Sequence, residues 1–73
     1  MGYFVIECQN DGNTGTAIPL WYEDEAAAKS KYHQVLSVAA VSKLPLHGAI
    51  IMEDTFFTFD RQVYDRTQKT AEE

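Results

Sequence analysis

The chain has 73 residues and a formal net charge of −5, with six Lys and Arg against eleven Asp and Glu. A chain this short forms one domain and buries only about 60% of its extended surface, so its stability is marginal without help. Its single cysteine, Cys8, excludes an internal disulfide and a cysteine-based zinc site, and its six cations are too scattered to track a phosphate backbone.

No apolar run approaches the ~20 residues of a membrane span. The N-terminal MGYFVIEC carries no charged region ahead of its apolar residues, which speaks against a signal peptide. Gly2 invites N-myristoylation, but Ile6 stands where that signal needs Ser or Thr. The expectation is a cytoplasmic protein that binds neither nucleic acid nor membrane and uses no metal or cofactor. Oligomerisation is the remaining source of stability.

In chain order, YFVIECQ (Tyr3 to Gln9) is rich in aromatic and β-branched residues and predicts a strand. Phe4, Ile6 and Cys8 point one way; Tyr3, Val5, Glu7 and Gln9 point the other. Asn10-Asp11-Gly12-Asn13-Thr14-Gly15 is a cluster of turn formers and predicts a hairpin loop. The return strand, Thr16 to Trp21, holds Pro19, which cannot donate a ladder hydrogen bond and so places the strand at a sheet edge. EDEAAAKSKYHQVLSVAAVSK (Glu23 to Lys43) is the one sustained helical pattern. At ~100° per residue, Ala28, Tyr32, Val35, Leu36 and Ala39 form one stripe. Ala27, Val38 and Val41 form a second. Acids in the first turn and Lys43 in the last suit the helix dipole, and Pro45 ends the helix. His47 to Met52 predicts a third strand, Glu53-Asp54-Thr55 a turn, and Phe56 to Tyr64 a fourth strand. Residues 65–73 are polar and predict a disordered tail beyond a single domain of residues 1–64.

The order β-β-α-β-β defines an α+β fold: a mostly antiparallel four-stranded sheet with one long helix packed on one face. The direction of the central strand pair stays open. One helix covers one face, yet both faces of the strands carry large apolar residues, which marks an interface. A homo-oligomer is therefore expected, with Ala27, Val38, Val41, Tyr3 and Val5 meeting a second chain.

Candidate chemistry is sparse. Cys8 with His33 or His47 as base is the natural nucleophilic pair, but a mid-strand cysteine beside Phe4 and Ile6 reads as a small core hydrophobe with a raised pKa. The calcium-loop pattern that Asp11 begins fails at its twelfth position, which is Tyr22. The clusters Glu23-Asp24-Glu25 and Glu53-Asp54 fall at a helix start and a turn, where carboxylates are solvated. Aromatics with Arg61 suit a flat ligand or an interface. A small ligand is expected near His47, Arg61, Tyr64 and Trp21, with Gly48 permitting close approach. No catalytic residue is expected.

Three segments carry a resemblance: Phe4-Val5-Ile6-Glu7 with Gln9; Lys31-Tyr32-His33 with Val35-Leu36 and Ala39-Ala40-Val41-Ser42; and Pro45 with His47, Ala49 and Ile50. Together they resemble a group of small, mostly uncharacterised proteins encoded by bacteriophages and prophages. The resemblance spans most of the chain before Glu53, and the strand after it departs. It lends no catalytic residue. It implies a phage protein acting inside a bacterium, and by analogy an inhibitor of host antiviral defence that sequesters a nucleotide signal or blocks a host protein. The alternative is a structural or assembly accessory of the phage particle that makes only protein contacts.

Overall fold

The computed structural model describes residues 2–66. Turn chemistry sets the first hairpin. The Asn10 carboxamide oxygen accepts from the Gly12 N–H, and Asp11 Oδ1 accepts from the N–H groups of Asn13 and Thr14. Gly12 sits at φ 99°, a conformation that glycine adopts without steric cost. The loop joins β1 (Tyr3–Asn10) to β2 (Gly15–Tyr22).

Helix α1 (Glu25–Ala40) is shorter at both ends than its apolar pattern predicts. Asp24 takes an extended backbone, and its carboxylate accepts from the Ala27 N–H at 3.0 Å, so Glu23 lies outside the helix. At the other end Val41 leaves helical geometry, and the Ser42 hydroxyl accepts from the Leu44 N–H. Lys43 is thus not in the last turn. Arg66 takes that place from the far end of the chain: its guanidinium donates to the carbonyls of Ala39 at 2.6 Å, Ala40 at 3.1 Å and Leu44 at 3.3 Å.

β3 (Leu46–Glu53) and β4 (Thr58–Asp65) complete one sheet in the order β2-β1-β3-β4. Every neighbouring pair is antiparallel, which settles the central pair β1–β3. The fourth strand starts at Thr58, not Phe56, because Phe56 adopts φ 74° in a turn closed by the Glu53 and Phe57 backbones. β4 also runs through Asp65, and the Arg66 N–H donates to the Pro45 carbonyl, so these two residues belong to the fold and not to a tail. Residues 67–73 of the predicted tail lie outside the described residues. A bulge between Ile51 and Met52 opposes Asp60 and Thr58 to consecutive β3 residues, leaving Phe59 as the extra residue.

The helix packs on one face through Ala28, Tyr32, Val35 and Ala39, against Val5, Ala49 and Ile51. The fully covered alanines let helix and sheet backbones approach closely. The core is small: Val5 is its largest side chain buried to less than 2% exposure. This explains why the fold offers little apolar burial beyond that single layer.

Candidate functional site

Strand register sorts the predicted site residues onto two faces. Val5, Glu7 and Gln9 of β1 and His47, Ala49 and Ile51 of β3 share the helix-covered face. His47 is buried there, at 3% exposure, and its Nε2 lies 2.8 Å from Glu7 Oε2. The Gln9 carboxamide donates to the same oxygen at 3.0 Å. The hydrogen bond from His47, first, and then that from Gln9 with the nearby positive charge hold the Glu7 carboxyl below its ordinary range against the opposing effect of burial. With Glu7 ionised, Nε2 carries the proton, and Nδ1 is left buried without a partner.

The four residues expected to hold a ligand do not converge. His47 and Tyr64 are cross-strand neighbours on the helix-covered face, and Tyr64 lies beneath the Arg66 guanidinium. Arg61 and Trp21 point from the opposite face, on the two edge strands. The Trp21 indole lies over Gly2 and donates to Asp54 at 3.4 Å. Cys8 faces away from His47, because its register partner is Gly48. It cannot use His47 as a base, and burial raises its thiol pKa. Gly48 is required for a different reason than ligand approach: a side chain there would overlap the Gln62 carbonyl and the Val63 backbone.

Among the residues expected at a subunit interface, Val5 is corrected outright. It is 1% exposed at the centre of the core, since its strand face is the one the helix covers. Tyr3 shares that face, half-buried, with its ring 5.7 Å from that of Phe59. Ala27, Val38 and Val41 are exposed on the outer side of the helix, Val41 at 81%.

The uncovered face of the sheet is ordered in cross-strand rows. Trp21, Phe4, Met52 and Thr58 form the first; Pro19, Ile6, Ile50 and Arg61 the second; Ala17, Cys8, Gly48 and Val63 the third. Arg61 is the only charged residue in these rows, and it stands on an edge strand. Nothing in the described residues packs over them as the helix packs over the other face.

A cleft of about 410 Å³ lies on the helix side, between the start of α1 and the bulged part of β4. Ile51 and Tyr32 contribute to it from the core. Phe59 and Asp60 reach it from the bulge, and Glu25, Lys29 and His33 from the helix. Lys29 is paired to Glu25 at 2.9 Å, one helical turn away. Asp60 Oδ1 accepts from the Arg61 N–H, and Asp60 forms no ion pair among the described residues. The Tyr32 hydroxyl is buried and lacks a partner in hydrogen-bonding geometry. Burial, and then the nearby Asp60 charge, push its pKa up.

Compared with protein-family models, with curated proteins and with solved structures, the chain finds no match. No helix among the described residues is long and apolar enough to cross a membrane, and no three His, Cys, Asp or Glu side chains there group as metal ligands do.

Two features escaped the sequence. Glu7 shares a strand face with Val5, and an inward carboxylate beside a core valine demands a buried donor; that signal points to a partner but not to His47. The cleft had no sequence signal, because a bulge at Phe59 leaves no mark in an alternating pattern.

Proposed function

We propose that this is a non-enzymatic binding protein that works as a homodimer, with the uncovered sheet faces of two copies packed together. The observation that carries the proposal is the three-row apolar face. Four strands about 4.8 Å apart and eight residues long give a planar face of roughly 500 Å². Side-chain relief adds to that, toward the 600–1,000 Å² that each partner contributes to an ordinary stable interface. A second copy fits the face better than a charged partner does. In a chain of net charge −5, these rows hold one charge, Arg61, placed at the rim where interfaces keep their charges. The pair would form a sandwich with sheets ~10 Å apart.

Support for a non-enzymatic role comes from the separation of Cys8 and His47 onto opposite faces and from the engagement of His47 by Glu7. In the setting implied by the phage resemblance, the dimer acts in the bacterial cytoplasm as an inhibitor of host defence. Blocking a host protein is favoured over trapping a nucleotide signal, because Arg61 and His47 do not share a face and the only unpaired charge in the cleft is anionic.

Light scattering on a sizing column tests the proposal. The wild type is expected at twice the 8.3 kDa chain mass at micromolar concentration. Ile6→Asp should give a folded monomer, because an unpaired carboxylate buried in an interface costs several kcal/mol. Val38→Asp combined with Val41→Asp, on the outer helix strip, should leave the dimer intact. A wild-type monomer overturns the proposal; so does dissociation by the helix pair with Ile6→Asp still dimeric.

A further inference from the structure

We infer that the cleft between α1 and the β4 bulge is a binding site for a small organic cation, an ammonium or guanidinium group attached to a flat apolar body. The cleft lies on the helix-covered side, so this inference stands apart from the dimer and holds for either oligomeric state.

The charges decide the sign of the ligand. Lys29 is already neutralised by Glu25 at 2.9 Å. Asp60 is not neutralised by any ion pair among the described residues, and its carboxylate is oriented by the Arg61 N–H on Oδ1, which leaves Oδ2 to accept from a ligand. The Tyr32 hydroxyl, on a residue only 3% exposed, meets no partner in full hydrogen-bonding geometry, and the carboxylate close enough to act on it is that of Asp60. A buried hydroxyl left unpaired is costly, and such groups in native structures call for an explanation. A cation donating to Asp60 would draw that carboxylate and the hydroxyl beside it into one network. The apolar walls define the rest of the ligand. Phe59 is brought to the cleft by the bulge, and Ile51 lies at the core side. An aromatic face beside a carboxylate suits a cation through both charge and quadrupole. A phosphate would meet Asp60 with like charge and find Lys29 occupied.

Backbone amide NMR titration with 2-phenylethylamine tests this, with 3-phenylpropanoate as a probe of similar shape and opposite charge. The amine should give saturable millimolar shifts at Lys29, Tyr32, Ile51, Phe59 and Asp60. The carboxylate probe should bind at least about tenfold more weakly. Asp60→Asn keeps the acceptor for the Arg61 N–H and should weaken the amine about tenfold. Tyr32→Phe should weaken the amine while leaving the melting temperature unchanged or higher, since it removes an unpaired hydroxyl. Three results would overturn the inference: equal affinity for the two probes, shifts centred outside the cleft, or Asp60→Asn binding the amine like wild type.

Discussion

Removing Glu7 tests the pairing of a buried histidine with a half-buried carboxylate across the central strands. Among the described residues, Glu7→Ala takes the only hydrogen-bond partner from His47 Nε2, on a residue whose Nδ1 already has none there. Leaving such a group buried and unsatisfied costs about 1–3 kcal/mol. In a domain of this size each kcal/mol shifts the melting temperature by about 4–8 °C, so a fall of roughly 5–20 °C is expected at pH 7. Glu7→Gln keeps an acceptor oxygen and should lose much less. The pH dependence has a definite sign. The folded Glu7 pKa lies below its ordinary value of 4.5, chiefly because of the His47 hydrogen bond. The stability it contributes is therefore fully present above about pH 4.5 and is lost as pH falls through the lower folded value. Urea unfolding followed by circular dichroism at pH 7, 5 and 3 measures it. The gap between wild type and Glu7→Gln should be widest at pH 7 and narrow toward pH 3. A Glu7→Ala melting temperature within about 2 °C of wild type at pH 7, or a gap that widens on acidification, would refute the assignment of Glu7 as the partner of His47.

Arg66→Ala removes two hydrogen bonds to the last turn of α1 and one to Leu44 beyond it, and should cost about 1–2 kcal/mol, read by thermal unfolding; Arg66→Lys should recover only part, since an ammonium cannot fork across three carbonyls. Gly48→Ala forces a methyl against the β4 backbone, which cannot rotate away, and should cost about 2–3 kcal/mol with the earliest loss of amide protection in β4.

The fold was legible because each local signal agreed with the next. The Asn10–Gly15 cluster, Pro19 at an edge and the Ala28–Tyr32–Val35–Ala39 stripe each led to the element observed. The ends of elements were less legible. Glu23 and Lys43 fit a helix by charge, but the Asp24 side chain and the chain turn at Ser42 compete with the helix for the same backbone groups. The candidate sites failed for one reason. Alternation along a strand shows which residues share a face, but not which face the helix takes. Val5 and Ile6 are equally apolar, and the choice between them decides what is core and what is surface. With that choice fixed, His47 falls inside beside Glu7, and Arg61 and Trp21 fall outside. The bulge adds a second obstacle, since it brings Phe59 and Asp60 to one cleft although they are consecutive in a strand.

The two edge strands carry a consequence for how copies of this chain can accumulate. Pro19 in the middle of β2 deprives that edge of a donor, and β4 bears Asp60, Arg61 and Asp65 along the other. Growth by adding strand after strand is therefore obstructed at both ends of the sheet. In the proposed dimer each uncovered face would be buried by its twin, so association through it would stop at a closed pair and not run on into a fibre. The same proline that marks β2 as an edge thus also withholds a backbone donor that strand-by-strand association would need.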